Sequence, residues 1–197
     1  MERKLKPIPV ERTLQGKGLS LFSPEEFRRF FRVTLRASQE FIKDHRHDLF
    51  LKLRNGLYAL RSYPPHELEI ANRLYGPSYI SLEYALAYYR LIPETVYTIT
   101  SVTTKITREF TVQGKTYEYA RIKKGAYTGC RLIKEGRANI IMATPEKALV
   151  DYCYFVDLRL KSLNDRLRVS KVNAKEALRY ARLFNRDSLT KLVREIV

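Results

Sequence analysis

An α+β chain in two parts is predicted by three observations. Residues 19–60 run in the order strand, helix, tight turn, helix, hairpin. Tyr63-Pro64-Pro65 then halts that pattern, because proline cannot continue a helix or central strand and is well suited to start a new helix. Beyond it the chain mixes helices with paired strands in what reads as a mainly antiparallel sheet, and from about Asp157 it turns helical and basic. Domains 1–63 and 64–197 follow. A chain of 197 residues with 45% hydrophobic content is enough for a proper core.

Each element of the first part has a local cause. Residues 19–22 form a short strand. Ser23-Pro24-Glu25-Glu26 opens a helix with a serine cap, proline at the first helical position and glutamate at the third. That helix is expected to reach Phe31 and to bury Phe27, Phe30 and Phe31. After the turn Arg32-Val33-Thr34, a second helix runs from Leu35 to about Arg46. Leu35, Ser38, Ile42 and His45 recur on its inner face with Phe41 beside them, while Arg36, Gln39, Glu40, Lys43 and His47 face outward. His45 and His47, two positions apart, face different ways and cannot share a metal. Residues 49–53 and Leu57–Leu60 read as a hairpin turned at Arg54-Asn55-Gly56. Asn-Gly there predicts a turn in which both residues have positive φ. Strand, helix, turn, helix and hairpin in this order describe a winged helix-turn-helix.

Charge supplies a partner for such a module. The chain holds 37 Lys and Arg against 21 Asp and Glu, a net charge of +16. Self-repulsion at that level points to a polyanion, with nucleic acid first. The surplus is uneven: +7 over residues 1–63 (14 basic, 7 acidic), +3 over 64–156 (12 and 9) and +6 over 157–197 (11 and 5). Arg36 and Gln39 are the candidates for base edges, since Arg and Gln make paired hydrogen bonds to guanine and adenine. Lys43, Arg46, Lys52 and Arg54 are candidates for phosphate, Asn55 joins them at the hairpin tip, and Arg28, Arg29 and Arg32 are placed to reach the flanking backbone.

The second part begins with a helix over 65–75, closed by Gly76 as a left-handed cap. Residues 81–90 form a helix with Leu82, Ala85, Leu86 and Tyr89 inward, and 95–102 alternate as a strand. A hairpin crosses Gln113-Gly114, strands follow at 130–133 and 139–143, and Thr144-Pro145-Glu146-Lys147 repeats the capping device of Ser23. Asn173 caps a helix reaching Phe184, with Ala174, Ala177, Leu178, Ala181 and Phe184 inward and Lys175, Arg179, Arg182 and Arg186 outward. A last helix covers 188–197. Eleven of the fourteen tyrosines lie between Tyr75 and Tyr154, at spacings typical of a core with polar tips.

Three blocks of this part carry a resemblance. Residues 76–94 read Gly-Pro-Ser-Tyr-Ile-Ser-Leu-Glu-Tyr-Ala-Leu-Ala-Tyr-Tyr-Arg-Leu-Ile-Pro-Glu, 96–104 read Val-Tyr-Thr-Ile-Thr-Ser-Val-Thr-Thr, and 143–151 read Ala-Thr-Pro-Glu-Lys-Ala-Leu-Val-Asp. With the wing Arg54-Asn55-Gly56-Leu57-Tyr58-Ala59-Leu60, these resemble the AbiEi family of antitoxins over residues 19–156. The resemblance implies a winged-helix autorepressor that binds its own operator in double-stranded DNA. It also implies a C-terminal domain that counters a co-encoded nucleotidyltransferase-like toxin. A homodimer on DNA is compatible with it. The chain departs from the family in a short, Pro7- and Pro9-bearing start, which predicts only a brief first helix over 10–15, and in a second helix without a Ser/Thr-rich beginning.

Other classes are weighed against this one. No apolar run spans a bilayer, and the charged, proline-broken stretch 1–10 is unlike a signal peptide, so a cytoplasmic location is expected. Cys130 and Cys153 are too few for a disulfide framework or a four-ligand zinc site and read as buried small hydrophobes. Neither a nucleophilic triad nor a phosphate-cradling glycine loop is evident, so no cofactor and no enzymatic activity are expected. Glu118, Glu146 and Asp151 with Lys123 or Lys147 form the remote case for a metal-dependent nuclease. The nearer alternative is a solitary winged-helix regulator, or an RNA-binding module, without a toxin.

Overall fold

The computed structural model describes residues 5–197, so Met1–Lys4, part of the stretch 1–10 discussed above, lie outside the described residues. The fold is α+β in two compact units, Met1–Leu74 with Gly136–Ala138 and Tyr75–Glu135 with Asn139–Val197. The division falls at Leu74–Tyr75 rather than at Tyr63-Pro64. The helix that follows the two prolines belongs with the first unit, where its Arg73 reaches Glu26 (2.5 Å) and Glu69 lies beside Ser20 (3.4 Å).

The first unit contains α1 (Pro7–Gly16), β1 (Leu21–Phe22), α2 (Pro24–Phe31), α3 (Leu35–Asp44), β2 (Phe50–Arg54), β3 (Leu57–Leu60) and α4 (Glu67–Leu74). Its three strands pair antiparallel in the order β1-β3-β2, which with α1–α3 is the winged-helix topology. Helix α1 is longer than the brief helix expected, because Pro7 and Pro9 stand in the first turn, where no intrahelical N–H is needed. The core gathers Val10, Leu14, Phe22, Phe27, Phe41, Ile42, Leu49, Phe50 and Leu60. Phe22 and Phe50 meet edge to face at 5.2 Å, and Phe27 packs on both, which pins α2 and α3 to the sheet.

Helix α2 starts as expected: Ser23 Oγ accepts the Glu26 N–H (3.1 Å) and Glu26 Oε2 accepts the Ser23 N–H (2.7 Å). The inner-face assignments need two corrections. Phe30 is 38% exposed and Leu35 is 41% exposed, since both flank the interhelical turn and face away from the sheet. The wing also departs from its expected geometry. Gly56 has φ +76 but Asn55 is not left-handed, and the ladder shifts register between Lys52 and Arg54. A glycine-closed bulge thus replaces the two-residue turn.

The second unit contains β4 (Ser78–Ile80), α5 (Leu82–Tyr88), β5 (Ile99–Thr103), β6 (Arg108–Val112), β7 (Lys115–Arg121), β8 (Cys130–Glu135), β9 (Ala138–Ala143), α6 (Pro145–Asp157), α7 (Ala174–Arg182) and α8 (Asp187–Ile196). The sheet order is β6-β7-β5-β4-β9-β8. It is mixed rather than mainly antiparallel: β5 pairs with β7 and β4 with β9 in parallel. Every residue of β5 is buried, so the alternation expected there is replaced by the pattern of a strand covered on both faces. The β6–β7 turn has Gln113 at φ +51 and Gly114 at φ +74, the geometry that the wing lacks. Gly76 is not left-handed; it precedes a cis Pro77. Tyr79, Tyr117 and Tyr119 are fully buried, as core tyrosines are expected to be. Cys153 is buried, which pushes its thiol up to about 12, whereas Cys130 is only half-buried. In α7, Ala174 is exposed and Tyr180 buried, while Arg186 turns to a nearly buried Asp157 (2.5 Å) instead of facing outward. Residues 158–172 contain no helix.

One device recurs at helix ends. Arg32 (φ +56), Arg90 (φ +58) and Arg159 (φ +58) are left-handed residues one or two positions beyond the ends of α2, α5 and α6. In each case the next N–H turns back to a carbonyl five residues earlier, Val33 to Arg28, Leu91 to Leu86 and Leu160 to Phe155. Glycine is the usual occupant of that position, and arginine there costs about 1 kcal/mol, offset in part by its cation at the negative end of the helix.

Candidate nucleic-acid interface

Helix α3 is held firmly before it presents anything. Thr34 Oγ1 accepts the Ala37 N–H (3.1 Å) at its start, and the buried Ser38 donates its hydroxyl to the Pro24 carbonyl (2.8 Å) at the start of α2. This bond, with Phe41 and Ile42 in the core, fixes the angle between the two helices. Arg36, Gln39, Glu40 and Lys43 follow at positions i, i+3, i+4 and i+7 and are all exposed, so they form one row on the outer face.

The row contains a brake that residue-by-residue inspection passed over. Arg36 Nε donates to Glu40 Oε1 at 2.9 Å, with the two side chains 88% and 59% exposed, and this bond raises the Arg36 pKa. The signal was present as an Arg/Glu pair four apart. In the free protein the guanidinium expected to read bases is therefore already directed by a carboxylate, and both groups remain open to water. Arg28 and Arg29 are similarly engaged: Glu25 takes both Arg28 Nε and Nη2 at 2.6 Å and Arg29 Nε at 3.1 Å, and its carboxyl lies below the usual range chiefly through the Arg28 hydrogen bonds.

Arg46 lies beyond the end of α3, which stops at Asp44, and donates Nε to His47 Nε2 (2.8 Å). His45 is half-buried against Phe41, its Nδ1 3.0 Å from Asp48 Oδ2. On the wing, Lys52, Arg54 and Asn55 are exposed, and Arg54 Nη1 donates to the Asn55 carbonyl (2.9 Å), stiffening the tip. Arg32, Lys43 and Lys52 have no ion-pair partner among the described residues, and the neutral Gln39 is exposed beside them. The ten expected residues thus divide among the α3 row, the turn after α3 that holds Arg46, the α2 flank and the wing of a single unit.

The nuclease constellation is not assembled. Among the described residues no group of three His, Cys, Asp or Glu converges on a metal position. Glu146 accepts the Asn173 N–H (3.3 Å), and Lys123 Nζ donates to the Phe184 carbonyl (2.6 Å). Asp151 and Lys147 do meet, fully buried, with Asp151 Oδ2 accepting from Ser81 Oγ (2.8 Å) and Tyr79 Oη (3.0 Å). Burial pushes the Asp151 carboxyl up, and Lys147, Ser81 and Tyr79 pull it back down. The Lys147 ammonium also lies 4.8 Å from the centre of the Phe184 ring. Lys147 and Asp151 stood in the sequence only as members of the nuclease case; the buried cluster they form with Ser81 and Tyr79 was not expected.

Among the described residues no helix is long and apolar enough to cross a membrane. No family model matches the chain, and no curated protein matches it. Among solved structures the chain is similar to the RV2827C protein of Mycobacterium tuberculosis, at 12% identity and a TM-score of 0.45, covering 98% of this chain and 83% of that one.

Proposed function

We propose that this protein is a cytoplasmic DNA-binding regulator of the antitoxin type, which represses its own operon through the winged helix and acts by binding rather than catalysis. The observation that supports this is the exposed row Arg36–Gln39–Lys43 on a helix clamped by Ser38 and the phenylalanine core. A helix with its side chains is about as wide as the major groove is open, about 12 Å. Arg36 exchanges Glu40 for a guanine edge and Gln39 reads an adjacent base. Lys43, Arg46, Lys52 and Arg54, with Asn55, hold phosphates on either side, and Arg28, Arg29 and Arg32 extend that contact along the backbone. The antitoxin half rests on the resemblance of blocks 76–94, 96–104 and 143–151, which implies that the second unit counters a nucleotidyltransferase-like toxin.

The test is binding of the full chain to its own promoter fragment and to random duplex across a salt series. The four central cations alone give a log–log slope between about −3 and −4, and the three flanking arginines steepen it toward about −6, with the promoter preferred. A flat salt response, or equal affinity for random duplex, refutes the DNA reading. Co-expression with the adjacent gene tests the other half: relief of that gene's toxicity supports it, and a harmless neighbour reduces the protein to a solitary regulator.

A further inference from the structure

The second unit carries a cleft of about 520 Å³, within the size range of small-molecule sites. It is lined by Tyr84 and Tyr88 of α5, by Arg90 just beyond that helix, by Glu94 and Val96 of the following loop, and by Arg168. Three features of its lining point to one ligand chemistry. The first is cationic. Arg166 is engaged with Glu94 Oε1, but Arg90 and Arg168 are exposed and have no ion-pair partner among the described residues. Both are fixed at the backbone: Arg90 by the left-handed turn closing α5, and Arg168 by its N–H to the Leu91 carbonyl at 2.7 Å.

The second feature is flat and apolar. Tyr88 is 40% exposed and rests edge to face on Tyr89 at 5.2 Å, and Tyr89 is itself tied by its hydroxyl to the Ala143 carbonyl (2.8 Å). The ring is therefore a supported platform. The third is an acceptor. Glu94 lines the cleft with its Oε2 enclosed beside Asn164 but short of a well-formed hydrogen bond, and a turn of the side chain presents it to a ligand N–H.

We propose that this cleft binds a nucleotide, with its phosphate on Arg90 and Arg168, its base against Tyr88 and a base N–H donated to Glu94. An acidic peptide would satisfy the two arginines but would bring a second carboxylate to Glu94 and leave the platform unused. The shared chemistry admits two sources, a free nucleotide or the phosphorylated end of a single strand. The site lies wholly in the second unit and stands independent of the winged-helix reading.

Calorimetric titration of the full-length protein with GMP tests it, since guanine offers two adjacent N–H donors to a carboxylate. Saturable binding with Kd below about 1 mM is expected, weakened about tenfold by Arg168→Ala and likewise by Arg90→Gly. Arg90→Gly suits its left-handed backbone, so loss of binding there is not loss of fold. Guanosine, lacking the phosphate, and ribose 5-phosphate, lacking the base, should each bind more weakly than GMP. A 5′-phosphorylated single-stranded oligonucleotide that outcompetes GMP, with the same dependence on both arginines, identifies the strand end as the ligand; GMP binding the tighter identifies the free nucleotide. No saturation with either probe, ribose 5-phosphate binding as tightly as GMP, or binding that survives both substitutions overturns the proposal.

Discussion

Helices α3 and α6 begin with the same device and carry the same kind of pair, yet they use it in opposite ways. Each opens on a threonine whose hydroxyl accepts an N–H three residues on, Thr34 from Ala37 and Thr144 from Lys147. Each then sets a cation four residues before a carboxylate, Arg36 before Glu40 and Lys147 before Asp151. The first pair stands in water and is worth little to stability, which leaves its arginine available to a partner. The second has no exposure at all, and its worth lies in the Ser81 and Tyr79 hydrogen bonds that complete it, because an uncompensated charge at that depth is very costly. Identical spacing thus yields a solvated pair in one unit and a structural lock in the other, with burial as the deciding variable.

The largest test of this contrast is Asp151→Ala, which strands the Lys147 ammonium in the core and should lower unfolding free energy by about 3–5 kcal/mol in urea denaturation. Replacing both partners, as Lys147→Met with Asp151→Leu, should recover most of that loss. If the single substitution costs no more than an exposed pair does, the lock is not one. Arg36→Ala should leave stability within about 1 kcal/mol while removing about 1–3 kcal/mol of preference for promoter over random duplex. Equal loss on both duplexes would move Arg36 from base reading to phosphate contact. Arg32→Gly should raise stability by up to about 1 kcal/mol, because glycine relieves the left-handed backbone, while weakening DNA binding. The smallest effect belongs to Arg54→Ala at the wing: no change in melting, uniformly weaker binding and a salt slope shallower by about one.

What could be read from the chain in advance was whatever a short window determines. The Ser23 capping box, the α2–α3 turn and the exposed row of α3 all depend on neighbours within a few residues, and all stand where expected. What needed distant partners was not legible. Ser38 on the inner face of α3 was visible, but its acceptor at Pro24 was not. Nothing near Lys147 announces that Tyr79 and Ser81 meet its aspartate, because β4 brings them there from another part of the chain. The hairpins show the limit even of local rules. Asn55-Gly56, the stronger signal, yields a bulge, and the weaker Gln113-Gly114 takes the double positive-φ turn. Phe30 and Leu35, like Ala174 at the start of α7, failed by periodicity alone, since a helix end or a helix next to a tight turn has less of the core to cover it.

The parallel pairing of β4 with β9 imposes an order in time. As the chain leaves the ribosome, Leu21, Phe22, Phe50 and Leu60 are all present by the sixtieth residue, and the helices that pack on them lie within the same stretch. Ile80 is less fortunate: Ser101 of β5 soon covers one of its edges, but Met142 on the other is made much later, and Asp151, which Tyr79 and Ser81 await, later still. Contacts that close long loops form slowly. The segment carrying the α3 row should therefore acquire protection first in pulsed hydrogen exchange during refolding, with β4 and α6 together and last. Simultaneous protection of both would show that the two units fold as one.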